Sequence, residues 1–69
     1  MTFTIEYVAF YSKPAKEREP EKLDTDSVED VRSYVVAQYK ETKDFDFCNV
    51  SDDEGNKYEV NTDGSIIRV

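Results

Sequence analysis

An α+β fold, with one amphipathic helix packed on one face of a mainly antiparallel sheet of four to five strands, is the architecture the sequence predicts. Three observations carry it. One stretch, Asp24 to Glu41, has a sustained helical period; a second, Thr2 to Tyr11, alternates; and two glycine-bearing turns divide the last third into short alternating segments. At 69 residues the chain makes one domain, and its four Phe and five Tyr supply large rings for a small core.

In the first strand Phe3, Ile5, Tyr7, Ala9 and Tyr11 share one side, which reads as a core face. Thr4, Glu6, Val8 and Phe10 take the other. That second side begins polar and turns apolar, as in a strand that is central or covered twice over half its length. Ser12 to Lys22 is charge-dense and carries Pro14 and Pro20. Lys13-Pro14-Ala15-Lys16 reads as a turn, and Glu17 to Leu23 as either a plain loop or a returning edge strand. The edge strand would make the sheet wholly antiparallel; the loop would favour a parallel crossover through the helix.

The helix is defined by Val28, Val31, Val35 and Tyr39, which fall on one face, with Tyr34 and Val36 beside them. Glu29, Asp30, Ser33, Ala37 and Lys40 are left for water. Its start carries three candidate caps: Asp26 with Glu29, Ser27 with Asp30, or Asp24 with a Leu23–Val28 staple. Acids in this first turn also complement the helix dipole.

Phe45 to Val50 then reads as a strand, Asp52 to Asn56 as a three-residue loop with Gly55 left-handed, and Lys57 to Asn61 as a strand. Asp63-Gly64 predicts a two-residue hairpin before Ser65 to Val69. That register sets Val60 opposite Ile67, Tyr58 opposite Val69 and Glu59 opposite Arg68. The face under the helix would hold Cys48, Val50, Tyr58, Val60, Ile67 and Val69. Phe45, Phe47, Asn49, Glu59, Ile66 and Arg68 would face away. With the first strand, the outer face then gathers Val8, Phe10, Phe47 and Ile66 into an apolar patch, the kind that marks an interaction surface. Three arrangements would shrink the patch: Phe45 folding over the helix end, the Ser12 to Lys22 segment crossing the face, or a register slip at Gly55.

Sixteen acids against nine bases give a net charge of −7. The imbalance is local: between Asp24 and Glu54 ten acids face only Arg32, Lys40 and Lys43. Direct binding to nucleic acid or to an anionic membrane is disfavoured by this sign. A basic protein partner suits it, as does plain solubility. One cysteine, Cys48, excludes an internal disulfide and reads as a small buried hydrophobe. The first residues resemble neither a signal peptide nor a membrane span, so the expected location is cytoplasmic.

No catalytic constellation is present. The chain has no His, no nucleophile elbow and no phosphate loop, its two glycines each being used by a turn. The expectation is therefore a non-enzyme without a cofactor. One Cys and no His exclude zinc in its usual sites. Glu59, Asn61, Asp63 and Gly64 mimic half of a calcium loop, but the flanking helices and the closing Glu are missing.

The favoured function is a small acidic protein that occludes a protein partner, a basic or nucleic-acid-binding one, as an inhibitor or modulator. Its apolar contacts would be Val8, Phe10, Phe47 and Ile66; its acidic contacts Asp26, Glu29, Asp30, Asp52, Asp53 and Glu54. In size and charge alone it resembles the compact acidic inhibitors that phages and mobile elements direct against host defences, an analogy of type that would have its carboxylates imitate nucleic-acid phosphates. The alternatives are a homodimeric structural or regulatory module using the outer sheet face, and a weak divalent-metal-responsive module centred on Asp52 to Glu54.

Overall fold

Of the two topologies left open by the Ser12 to Lys22 stretch, the chain takes the antiparallel one. The computed structural model describes residues 1–11 and 18–69. The elements in order are β1 (Thr2–Val8), β2 (Glu21–Asp24), α1 (Val28–Thr42), β3 (Phe47–Asp52), β4 (Lys57–Asn61) and β5 (Ile66–Arg68). They form one helix on a five-stranded sheet of order β2-β1-β3-β4-β5, every pairing antiparallel. The turn expected at Lys13 to Lys16 lies outside the described residues. The edge strand begins at Glu21, just after Pro20, where a missing N–H costs the ladder nothing.

β1 ends sooner than its alternation suggests. Ala9 and Tyr11 do not continue the core face; Ala9 is exposed and Tyr11 is 92% exposed. The cause is Asp46, whose Oδ2 accepts the Phe10 and Tyr11 main-chain N–H groups and draws the chain off the ladder. The other residues of that face behave as read: Phe3 and Ile5 are buried and Tyr7 half-buried.

Ser27 is the helix cap that forms. Its backbone is extended and its hydroxyl accepts the Glu29 N–H at 3.2 Å. Asp30 does not close a box with it, because its carboxylate is taken by the Thr25 hydroxyl. At the other end Lys43 is left-handed (φ 49°) and donates its N–H to Tyr39 O at 2.8 Å, an αL cap without glycine. Val31 and Val35 are fully buried, with Val28, Tyr34 and Tyr39 packed beside them.

The core under the helix consists of Phe3, Ile5, Val31, Val35, Phe45, Cys48, Val50 and Val60. Phe45 corrects the outer-face expectation. It precedes β3 rather than lying in it, and its ring sits edge-on between Tyr7 at 4.8 Å and Tyr39 at 5.5 Å. The irregular Lys43 to Asp46 passage releases Phe45 from strand parity, so it folds over the helix end.

The Gly55 turn forms as expected. Asp52 N–H reaches Asn56 O at 3.0 Å, Gly55 has φ 87°, and Val50 pairs with Tyr58 and Cys48 with Val60. The second hairpin differs by one residue. Val60 pairs with Ile66, Glu59 with Ile67 and Tyr58 with Arg68. A two-residue turn needs positive φ at Asp63 as well as Gly64. Among the described residues only Lys43, Gly55 and Gly64 have positive φ. The chain instead repeats the first turn, with Gly64 N–H bonded to Asn61 O (3.0 Å) and Asn61 N–H to Ser65 O (2.9 Å). Asp63 holds this form by accepting the Ser65 N–H and hydroxyl at 2.9 and 2.8 Å.

That slip exchanges the faces of the last strand. Ile66 belongs under the helix, packed against the core, and is removed from the outer patch. Ile67 and Val69, expected in the core, are 52% and 82% exposed. Arg68 does not oppose Glu59; it lies 5.7 Å from the centre of the Tyr58 ring.

Candidate partner-binding surface

The face of the sheet away from the helix has two apolar ends and a polar middle. Val8 pairs with Phe47 across β1 and β3, and the Phe10 ring lies 5.9 Å from that of Phe47. Val8 and Phe47 are half-buried, while Phe10 is 73% exposed. The backbone beneath these rings is fixed. Asp46 donates its N–H to Val8 O at 2.8 Å and clamps the Phe10 and Tyr11 N–H groups with its carboxylate. Three of the four apolar residues read from sequence, Val8, Phe10 and Phe47, are therefore brought together, without Ile66.

Ile67 takes an open-face position that sequence reasoning assigned to the core. The row Glu6, Asn49, Glu59, Ile67 crosses four strands, so polar side chains separate it from the Phe47 cluster. Glu6, Asn49, Ser51, Lys57 and Val69 border a shallow depression of about 270 Å³ in this middle region.

The acidic residues converge at the opposite end of β1. Three segments distant in sequence meet around its first residues. Thr2 Oγ1 donates to Asp24 Oδ1 at 3.0 Å, Thr2 N–H to Asp53 Oδ2 at 3.4 Å, and the Met1 amino group lies 3.5 Å from Asp26. Thr25 N–H closes the junction onto Met1 O at 2.9 Å. Asp26, Glu29, Asp30, Asp53 and Glu54 are all exposed here. Arg32, the base nearest the helix start, is engaged by Glu29 at 2.9 Å. Thr2 and Val8 are six residues apart on β1, so the acidic end and the ring end are separated by about 20 Å along the strand.

Asp52 has a different task from its neighbours. Its Oδ1 accepts the Glu54 and Asn56 N–H groups at 2.9 Å each, and its Oδ2 the Asn56 side-chain amide at 3.0 Å. Partial burial pushes this carboxyl up. The bonds from Asn56 and Glu54 and the Arg68 charge outweigh that and hold it below the usual range. Asp63 is likewise depressed, by the Ser65 N–H and hydroxyl. Both carboxylates are spent on their own turns. Among the described residues no three acidic, His or Cys side chains are grouped as a metal ion requires.

Among the described residues an embedded ion pair, Arg18 with Asp44, lies elsewhere. Arg18 sits 4.3 Å from the Tyr7 ring centre and 5.4 Å from that of Phe45, and pairs with Asp44 at 3.3 Å and Glu21 at 3.7 Å. Glu21 also accepts the Tyr34 hydroxyl, which raises the Tyr34 pKa. This cluster ties β2 to the helix and seals the end of the core near Phe45. Cys48 is buried against the same core, and burial pushes its thiol up to about 12, so it stays a neutral packing group.

What the arrangement can do chemically is present rings at one end of the open sheet face and carboxylates around the other end of β1, those of Glu29 and Asp30 from the first turn of the helix on the covered side. No helix of the described residues is long and apolar enough to cross a membrane. No family model, curated protein or solved structure matches this chain.

Proposed function

We propose that this chain is a small acidic, non-catalytic protein that binds and occludes a basic protein partner, one of the nucleic-acid-binding class, and so acts as an inhibitor or modulator. The observation that carries the reading is the convergence of the β2–α1 junction and the β3–β4 turn around the start of β1. Exposed carboxylates from two separate segments share one end of the molecule there, as phosphates share one strand of a nucleic acid. Such a field steers a cationic surface into contact and is weakened by salt. A partner that spans from the Thr2 end of β1 onto the open face reaches the acids grouped there and Val8, Phe10 and Phe47 at the far end of the strand, so that steering and apolar anchoring act on the same encounter.

The test is recovery of partners from the native cell with the tagged protein, at low and at physiological salt. The expected result is a basic nucleic-acid-binding protein whose recovery falls with salt. A variant carrying Asp26→Lys, Asp53→Lys and Glu54→Lys should lose it. Recovery of no such protein at either salt rejects the reading.

A second reading, self-association through the ring end of the open face, is supported by the exposure of Phe10 beside Phe47. Light scattering across concentration distinguishes it: a dimer abolished by Phe47→Asp supports it, and a mass unaltered by that change rejects it.

A further inference from the structure

The two edges of the sheet are guarded very differently. β2 follows Pro20 and is Glu21-Lys22-Leu23-Asp24, three charges in four residues, a composition that repels a further strand. β5 lies in Ser65-Ile66-Ile67-Arg68-Val69, with three β-branched residues and one charge. Its hydrogen-bond phase is fixed by the bonds at both ends. Asn61 N–H to Ser65 O and Val69 N–H to Lys57 O make 61/65 and 57/69 bonded pairs, so 59/67 is the bonded pair between them. The main-chain N–H and C=O of Ile66 and Arg68 therefore point away from β4, at the open edge. A row of donors and acceptors spaced in this way fits another β-strand.

We propose that the free edge of β5 pairs with the β5 of a second copy, antiparallel about a two-fold axis at Ile67, to make a continuous ten-stranded sheet. Ile66 of each copy then exchanges both main-chain bonds with Arg68 of the other, and the two Ile67 side chains meet on the open face. The strand is self-complementary in this register. Its one charge, Arg68, faces an isoleucine rather than another arginine, and no acid lies between Ser65 and Val69. The antiparallel arrangement also sends the two acidic ends to opposite sides of the junction, because Val69 lies at the Lys57 end of β4 and Ser65 at the Asn61 end. Repulsion between two chains of charge −7 is thereby reduced. An edge this short buries less than a standard interface, so the pair forms only at high concentration. This surface is distinct from both the acidic end and the Phe47 cluster, and the inference does not rest on the proposed function.

Light scattering and sedimentation up to about 1 mM chain test it directly. The wild type should rise from 8.0 kDa toward twice that mass. Amide exchange of Ile66 and Arg68 should slow as it does. Ile67→Lys should remain at the single-chain mass at every concentration, since two lysines then face each other across the axis. The new lysine also lies opposite Glu59 within its own sheet, so the monomer should keep its melting temperature. Arg68→Pro removes an outward N–H without touching the β4 ladder and should likewise stay single. A wild type that remains one chain throughout overturns the proposal. A pair that survives both variants but is lost in Phe47→Asp overturns it in favour of the ring end. Slow exchange at Ile66 and Arg68 only when a different protein is added overturns self-pairing and gives the edge to that protein.

Discussion

The covered and open faces of the sheet use similar residues to opposite ends. Under the helix, Phe3, Ile5, Cys48, Val50 and Val60 are joined by Phe45 to form a closed core. On the open side, Val8, Phe47 and Phe10 gather at one end and Ile67 lies beyond a polar row. Phe45 and Phe47 make the contrast sharpest. They are two residues apart, yet one is 1% exposed and the other stands on the open face beside an exposed ring. Strand parity would put them together. What separates them is that Phe45 precedes the strand, so its direction is set by packing on Tyr7 and Tyr39. Sheet faces are assigned by alternation only while the strand is regular, and each irregular residue can transfer a side chain from one face to the other.

Truncations on the two faces should break apart in size. Phe45→Ala should cost the most, about 3–5 kcal/mol in chemical denaturation, because a closed aromatic site loses its ring. Val31→Ala and Val35→Ala should each cost about 1–3 kcal/mol through lost burial and residual cavity. If either matched the cost of a surface change, the helix would not be roofing this face.

The turns that fix the register come next. Gly55→Ala and Gly64→Ala should each cost roughly 1–2 kcal/mol, from the left-handed backbone rather than from crowding. A Cβ at Gly55 would meet nothing within 4 Å, and one at Gly64 would only touch Val36 at 3.7 Å and Arg32 at 3.8 Å. Unequal costs would mean that the turns differ after all. Their carboxylates add a pH signature. Asp52 and Asp63 have depressed folded values, so the stability they add is present above the ordinary carboxylate pKa and is lost as pH falls through the depressed ones. The acid limb of the melting temperature should flatten in Asp52→Asn/Asp63→Asn.

Phe47→Ala should cost clearly less stability than Phe45→Ala, under about 1 kcal/mol, and should weaken partner recovery instead. The smallest change has the other sign. Lys43→Gly should raise stability by up to about 1 kcal/mol, because glycine occupies the left-handed cap without the Cβ penalty.

Much of this contrast is legible in the residues themselves. The helix face and the Gly55 turn follow from spacing, since Val28, Val31, Val35 and Tyr39 recur at helical steps and Gly55 stands where a bulged loop needs it. The helix end at Lys43 carries no sequence mark, because lysine rarely caps in this way. The second turn misleads for a physical reason. Asp-Gly suits a two-residue hairpin, but Asp63 satisfies Ser65 with its side chain and keeps an ordinary φ, so the loop takes three residues and Ile66 and Ile67 trade faces. Of the expected contacts, Val8, Phe10 and Phe47 are assembled by one strand pairing and a carboxylate clamp. The acidic end depends on which strand follows which in space: Asp26 and Asp53 are distant in sequence and meet only because β1 lies between β2 and β3.

Side-chain NMR relaxation with a soluble paramagnetic agent, at a dilution where the chain is a single copy, measures the division of the two faces most directly. Phe10 and Ile67 should relax fastest, Phe47 and Ile66 at intermediate rates, and Phe45 slowest. A Phe47 as sheltered as Phe45, or an Ile66 as accessible as Ile67, would contradict the register on which the surface is built.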